Sequence, residues 1–325
     1  MTLDTRLTKF FGVRYPVVLA PMAGISGGRL AAAVTSAGGL GLIGGGYGDS
    51  DWLGREFDRA AGAAVGCGFI TWSLARQPEL LEAALQRRPA AIMLSFGELQ
   101  PFADRIRADG TPLIAQAQTL DHARQALDAG ADVIVAQGGE AGGHGMTARS
   151  TFTLVPDVAD LVAARSPDTL VLAAGGVTDG RGLAAALALG ADGALVGTRF
   201  WASPEALVSP RAHERALAAS GDDTFRTRAF DLVRRLDWPA GYNARALGNT
   251  FLGTWHGNED RLSSALPEAV AAYEKAVAAE DFDTAAILVG EGVGLLRQVR
   301  PAADIMADMV EQAARILNRP ASVQR

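Results

Sequence analysis

Eight short apolar runs alternate with helical segments over the first 200 residues, and this alternation constrains the fold more than any other feature. Between the runs lie segments with the apolar spacing of helices, and Gly130, for example, follows the segment 121–129 as a helix stop. Strands that alternate with helices form parallel sheets, because each helix carries the chain back to the same end of the sheet. The count of eight predicts an α/β fold of the (β/α)8 TIM-barrel type, with an open doubly wound sheet as the alternative. The predicted strands are 17–20, 40–43, 65–70, 91–95, 112–117, 133–136, 170–173 and 194–196.

A repeated segment supports this count. Ala129-Gly-Ala-Asp132 leads into one predicted strand, and Leu189-Gly-Ala-Asp192 leads into another. Each consists of a helix end, a glycine stop and a new strand, so the chain reuses one supersecondary unit. The glycine-rich strand ends are spread along the chain, as a ring of loops requires, and this favours the closed barrel over the open sheet.

The pattern changes after the eighth predicted strand, and this change divides the chain. Residues 1–203 are expected to form the barrel, and residues 204–288, which show helical runs and no strand alternation, a helical insertion over the barrel mouth. Residues 289–325 are expected to return to the barrel as a glycine cluster, a final helix over 301–317 and a frayed tail. Two or more strands within 210–285 would contradict this division.

Charge and cysteine content exclude several classes of protein. A net charge of −6 offers no basic surface for nucleic acid. The single cysteine, Cys67, excludes a disulfide framework and a thiolate metal cluster. No apolar run reaches the roughly 18 residues that a membrane span needs, and residues 1–11 lack the apolar core of a signal peptide. We therefore expect a soluble cytoplasmic protein without nucleic-acid or membrane partners, whose oligomeric state the sequence leaves open.

The loop after the sixth predicted strand combines the features of a ligand site. It contains glycines at five positions between 138 and 145, and glycine lets backbone N–H groups approach a ligand closely. Gln137, Glu140 and His144 lie among these glycines, and His144 is one of only four histidines in the chain. An imidazole in a glycine-rich loop at a strand end indicates a binding or catalytic site rather than a simple connection.

The ends of the seventh and eighth predicted strands indicate a phosphate site. In such barrels a phosphate often binds after these two strands. Gly175 and Gly176 follow one strand, Gly197 and Thr198 follow the other, and together they offer backbone N–H groups and a hydroxyl without a basic side chain. Amides at two further strand ends, Gln116 and Gln137, add donors and acceptors.

Three other chemistries find little support. Residues 39–44 match the dinucleotide fingerprint, but a helix precedes these glycines and they run through a strand, which is the wrong order. No His-x-x-x-His or Cys-x-x-Cys spacing indicates a metal site, so we expect none. No Gly-x-Ser-x-Gly elbow indicates a serine hydrolase. The type of site that fits the sequence best is therefore one that binds an organic cofactor through its phosphate group, with one histidine nearby.

Several motifs resemble those of the nitronate monooxygenases, formerly called 2-nitropropane dioxygenases. The hallmark is Gln137-Gly-Gly-Glu-Ala-Gly-Gly-His144, and flavin-dependent enoyl-acyl-carrier reductases have a similar loop. The resemblance covers most of residues 10–200 and returns near 285–317. Further similar segments, in the same order as in the family, are Ala20-Pro-Met22, Ala173-Ala-Gly-Gly-Val177, Gly197-Thr198-Arg-Phe200 and Gly290-Glu-Gly-Val-Gly294.

The resemblance implies an enzyme with FMN as its cofactor and His144 as its catalytic residue. The reaction would oxidise an alkyl nitronate, or a neutral nitroalkane, with dioxygen to a carbonyl compound and nitrite. His144 would either remove the α-proton of a nitroalkane or pair with the nitronate anion. The implied FMN-binding residues are Met22, Gln116, Gln137, Gly142, Gly175, Gly176, Gly197 and Thr198.

Three departures from the family pattern leave the substrate open. Gly145 follows His144 where an arginine is common, Gly68 stands where an asparagine is common, and the segment 249–256 differs from bacterial relatives. One alternative is a flavin-dependent reductase that takes hydride from NAD(P)H and delivers it to a quinone or an enoyl thioester. Another is a barrel without catalytic activity that binds a phosphorylated ligand.

Overall fold

The computed structural model describes residues 3–318, so the end of the predicted tail, residues 319–325, lies outside the described residues. Most of the strands are short apolar runs, and a buried environment favours strands of this kind. Eleven strands occur in this part of the chain: β1 (Val17–Leu19), β2 (Leu42–Gly44), β3 (Gly66–Ile70), β4 (Ile92–Ser95), β5 (Leu113–Ala117), β6 (Val133–Gln137), β7 (Gly143–Gly145), β8 (Leu170–Ala174), β9 (Gly193–Val196), β10 (Thr224–Thr227) and β11 (Asn243–Leu247).

The predicted helical segments 121–129 and 301–317 are helices in the structure, to within one residue at each end. Those of the barrel half are α1 (Arg6–Phe11), α2 (Gly28–Ser36), α3 (Ser50–Arg59), α4 (Thr71–Leu74), α5 (Glu79–Leu85), α6 (Gln100–Asp109), α7 (Leu120–Asp128), α8 (Thr151–Arg165), α9 (Gly180–Ala188) and α10 (Thr198–Trp201). The remaining ones are α11 (Pro210–Leu217), α12 (Ala229–Val233), α13 (Thr250–Trp255), α14 (Glu259–Ser264), α15 (Leu266–Ala278) and α16 (Ala302–Leu317).

Eight parallel strands form a closed barrel, which confirms the predicted (β/α)8 fold. Their order around the barrel is β1, β9, β8, β6, β5, β4, β3 and β2. The ring closes between β1 and the residues before β2, where Val18 and Leu40 form a parallel bridge. Two backbone hydrogen bonds complete this closure: Leu19 N–H donates to Leu40, and Leu40 N–H donates to Val17.

Alternate residues of each strand fill the two sides of the barrel wall. In β6, Val133 and Val135 belong to the interior cluster, whereas Ile134 packs outward against the helices. This alternation follows from the twofold period of a strand. Leu7 of α1 joins the interior cluster, so α1 closes the end of the barrel opposite the carboxyl ends of the strands.

The repeated Gly-Ala-Asp segment has a structural role. The carboxylate of Asp132, just before β6, accepts a hydrogen bond of 2.8 Å from Leu113 N–H at the start of β5. Asp192, just before β9, accepts one of 2.9 Å from Val171 N–H in β8. Each aspartate therefore joins the start of one strand to its neighbour, which explains why the segment recurs.

The expectation of a purely helical insertion over 204–288 is wrong, because β10 and β11 lie within it. They pair antiparallel with each other, and β11 also pairs antiparallel with β7, which lies in the glycine-rich loop after β6. In β11, Ala244 and Ala246 are buried while Arg245 is more exposed, which is the twofold period of a half-buried strand. Alanine and arginine have little strand propensity, so the sequence of this segment gives only a weak strand signal.

The chain returns to the barrel through α16, which packs against α9 and α2.

The dinucleotide match at residues 39–44 does not open a helix, because α3 begins only at Ser50. The structure therefore provides no dinucleotide-binding turn there. Within residues 3–318, none of the helices has both the length and the apolar character needed to cross a bilayer.

Candidate active site

A cavity opens at the carboxyl ends of the barrel strands, which is where barrel enzymes place their sites. Its walls come from the ends of the barrel strands and from two segments that lie outside the barrel, one around Arg234 and Trp238 and one around Gly290. The nine residues expected to be catalytic or to bind FMN all line this one cavity: Met22, Gln116, Gln137, Gly142, His144, Gly175, Gly176, Gly197 and Thr198.

The ends of β8 and β9 form a surface suited to a phosphate group. Gly175 and Gly176 have φ angles of 109° and 70°, a left-handed conformation that favours glycine. Gly197 immediately precedes α10, and the first N–H groups of a helix have no intrahelical acceptor. The Thr198 hydroxyl lies at the same place and accepts a hydrogen bond of 3.0 Å from Gly290 N–H. These groups fit a phosphate that is bound mainly by the backbone.

Amide side chains on the cavity wall fit the polar edge of an organic cofactor. Gln116 Oε1 is buried and has no hydrogen-bond partner within residues 3–318. A buried acceptor without a partner costs free energy, so a ligand donor at this position would stabilise the site. Gln137 is already engaged, because its Nε2 donates to the carbonyl oxygen of His144 at 3.0 Å. Gln137 therefore orients the loop that carries the histidine.

The structure explains why glycine stands at position 68. Gly68 lies in β3 and lines the cavity, and a Cβ atom there would come within 2.3 Å of the Pro21 ring. An asparagine would therefore require Pro21 to move. The space that an asparagine side chain would take is occupied by the proline ring.

His144 forms a buried pair with Asp231. The His144 Nε2 and Asp231 Oδ1 atoms are 2.8 Å apart, and the two side chains are only 6% and 4% exposed. Burial lowers the pKa of His144 below its ordinary value, although the hydrogen bond to Asp231 opposes this effect. The imidazole is therefore neutral at neutral pH. With its Nε2 proton donated to the carboxylate, its Nδ1 carries the lone pair.

An aromatic cluster holds the imidazole in one orientation. The Trp238 ring stacks on His144 with centroids 3.5 Å apart and planes 7° apart. Phe96 contacts both rings edge-on, and Tyr47 contacts Trp238 in the same way. Stacking on one side and the Asp231 hydrogen bond together restrict rotation of the imidazole.

Two arginines of the insertion hold the glycine-rich loop. Arg226 of β10 and Arg245 of β11 both donate to the carbonyl oxygen of Gly139, at distances of 2.8 to 3.2 Å. Burial and the charge of Arg245 lower the pKa of Arg226 to about 10. Glu140 of the same loop accepts hydrogen bonds from Thr151 N–H at 3.0 and 3.3 Å, at the start of α8. Glu140 is therefore a helix cap rather than a ligand of the cavity.

Sequence reasoning missed Asp231, Arg234 and Trp238, which lie in or near α12. Asp231 is the one polar residue of the largely buried segment Ala-Phe-Asp-Leu-Val, and nothing in that segment shows that its partner is a histidine. Trp238 offered a weak signal, because the chain contains only five tryptophans. Asp231 and Trp238 matter because they contact His144, about 90 positions earlier in the chain, and Arg234 matters because it lines the cavity.

Comparison with known proteins gives matches that cover most of the chain. The family model described as nitronate monooxygenase matches residues 4–84 and 70–312. A nitronate monooxygenase of Metarhizium robertsii is 36% identical over 93% of this chain and 91% of its own length. The structure of FabK from Thermotoga maritima matches with a TM-score of 0.85 and 30% identity over 97% of this chain and 98% of that one. The structure of a nitroalkane oxidase from Streptomyces ansochromogenes matches with a TM-score of 0.76 and 29% identity, and the match covers 95% of this chain and 100% of that one.

Proposed function

The chain belongs to the nitronate monooxygenase family, and we propose that it oxidises alkyl nitronates, and the nitroalkanes that yield them, with FMN as its cofactor. Dioxygen is the second substrate, and a carbonyl compound and nitrite are the products. The observation that carries the proposal is the buried pair of His144 and Asp231 on the wall of the cavity that the strand ends enclose.

We propose that the residues of the barrel mouth bind FMN in two groups. Gly175, Gly176, Gly197 and Thr198 would hold the phosphate, because they offer backbone N–H groups and a hydroxyl at adjacent strand ends. The side chains near the flavin ring would be Met22, Gln116, Gln137 and Gly142. Bound there, FMN would supply the redox chemistry, which is the transfer of electrons from the substrate to dioxygen.

His144 acts as a general base in this proposal. Its pKa is lowered by burial, so its Nδ1 carries a lone pair at neutral pH and can accept the α-proton of a nitroalkane. Asp231 then stabilises the imidazolium that forms, since the carboxylate lies at hydrogen-bond distance from Nε2. A neutral imidazole is poorly suited to hold an anion, which favours the base over the alternative of a nitronate-binding residue.

Replacement of His144 tests this role. His144→Ala should retain FMN but lose roughly 10²- to 10⁴-fold of its activity on a neutral nitroalkane, the usual contribution of a general base. Activity on the preformed nitronate should fall less, because its proton is already gone. His256→Ala, an exposed histidine of the insertion, is the matched control. An equal loss on both substrates would contradict the role as base, and no loss on either would contradict any catalytic role.

A second candidate is a flavin-dependent reductase that takes hydride from NAD(P)H, and the similarity to FabK is the observation that favours it. The two candidate functions differ in the compound that reduces the bound flavin of the purified protein when oxygen is absent. Under nitrogen, a propyl nitronate should bleach the flavin absorbance while NADH and NADPH leave it unchanged. Fast bleaching by either nucleotide, with none by the nitronate, would favour the reductase. Purification of a colourless protein that does not take up FMN would favour a non-catalytic barrel.

A further inference from the structure

The wall of the cavity carries one permanent charge, that of Arg234, among the residues that line it in the described part of the chain. The only other ionisable groups there are His144, which is neutral, and Tyr47. The remaining lining residues are apolar, aromatic, amide, hydroxyl or glycine. The cavity therefore presents a single cation to whatever binds beside the histidine.

Arg234 is half-buried, and within residues 3–318 no carboxylate lies within 4.0 Å of its guanidinium. The nearby Asp231 is bound to His144, and the next arginine, Arg235, pairs with Glu274 at 3.9 Å on the surface. The Arg234 guanidinium instead lies 5.9 Å from the centre of the Tyr47 ring. A partly desolvated guanidinium without an anion is energetically unfavourable, and its planar donors match a carboxylate or a nitro group.

The surroundings of this cation are aromatic. Its guanidinium lies over the Tyr47 ring, and Tyr47 contacts Trp238 edge-on. Trp238 and Phe96 line the same cavity, and Trp238 covers one face of His144. Apolar walls favour the burial of a hydrocarbon chain. They also exclude water, which strengthens the attraction between the guanidinium and an anion.

We propose that Arg234 binds the anionic head of the substrate, so that the enzyme selects small organic anions with a planar two-oxygen group and an apolar body. This inference rests on the proposed function, because a nitronate has that structure. Arg234 holds the two oxygens, the aromatic walls contact the carbon chain, and His144 lies beside the α-carbon. Arg234 supplies the charge that the neutral His144 lacks.

The test uses butyrate, a stable planar two-oxygen anion of the same chain length as propyl nitronate, with neutral butyramide as the comparison. The FMN-loaded protein is titrated with each compound, and binding is followed by calorimetry and by the change in flavin absorbance. Arg234→Gln should weaken butyrate binding about 10- to 100-fold and leave butyramide binding nearly unchanged. Arg234→Lys should recover part of the affinity. Arg235→Gln, which removes the same charge one position away on the surface, should behave like the unmodified protein.

Kinetics separate this inference from the proposed function. With propyl nitronate, Arg234→Gln should raise KM by a similar factor and change kcat much less. If the unmodified protein binds butyrate through Arg234 but oxidises no nitronate, the proposed function fails and the anion site stands. If Arg234→Gln keeps the normal KM for nitronate and the normal affinity for butyrate, the inference is overturned and the proposed function stands. Failure of the unmodified protein to bind butyrate also overturns it.

Discussion

Replacement of Asp231 by asparagine tests how far the chemistry depends on a residue outside the barrel. Asparagine keeps the size of the side chain and removes the charge. Asp231 Oδ1 lies 2.8 Å from His144 Nε2, and its other carboxylate oxygen, Oδ2, has no partner within the described residues. The substitution therefore disturbs no other hydrogen bond of this carboxylate in that part of the chain. We expect the variant to fold and to bind FMN normally.

The size of the effect follows from the charge and the burial of the pair. With centres of charge about 4 Å apart and an effective dielectric constant of about 20, the carboxylate stabilises an imidazolium by about 4 kcal/mol. If the imidazole carries half of this charge in the transition state, removal of the carboxylate costs about 2 kcal/mol of stabilisation, or roughly 30-fold in rate. If it carries the full charge, the loss in rate is roughly 10³-fold. We therefore expect Asp231→Asn to lower kcat/KM for a neutral nitroalkane by about 30- to 10³-fold.

The pH dependence provides a second measurement with a defined sign. The base must be unprotonated, so activity on a nitroalkane falls as pH drops through the pKa of His144. The carboxylate raises this pKa against the effect of burial, and its removal lowers the pKa further. The acidic limb of the rate profile should therefore move to lower pH in Asp231→Asn, although the maximal rate is lower.

The matched control is Asp237→Asn, which removes the same charge from an aspartate that is 86% exposed and pairs with Arg76 on the surface. Its rate and pH profile should equal those of the unmodified protein. FMN content and melting temperature show whether either variant is misfolded. A normal rate and an unshifted acidic limb in correctly folded Asp231→Asn would refute the argument that the pair acts as a unit.

Two further predictions concern the cofactor and the loop. Gly176→Val should yield protein with little FMN absorbance, because it places a side chain at the proposed phosphate site, where the backbone φ is positive. Gly62→Val, at a similar φ of 82° but exposed and outside the cavity, should stay yellow. Full FMN occupancy in Gly176→Val would mean that the phosphate lies elsewhere. Glu140→Ala should remove the cap of α8 and lower the melting temperature by roughly 1–3 °C. Glu98→Ala, an exposed glutamate, should leave the melting temperature unchanged, and equal temperatures in both variants would contradict the capping role.

The sequence by itself determined the barrel, the family and one side of the site. Strand and helix periods are local, so eight apolar runs and their glycine stops were visible in the chain, and the structure confirms them as the eight barrel strands. The carboxyl ends of parallel strands meet at one end of a barrel. Residues recognised one by one at those ends, such as Gln116, His144 and Gly176, were therefore expected together, and they do line one cavity.

Only the tertiary structure decided what surrounds His144. Strand β7 has three residues, two of them glycine, and it exists because β11 pairs with it, so no local propensity could reveal it. Asp231 lies in a short, largely buried helix and Arg234 directly follows it, and the sequence of this helix predicts only that it packs inside the protein. Both residues matter because of where folding places them. The Asp231 carboxylate binds an imidazole 87 residues away, and the Arg234 guanidinium lines the cavity instead of pairing with a carboxylate. Charge and hydrogen bonding act through space, and spacing along the chain does not record which distant groups folding brings together.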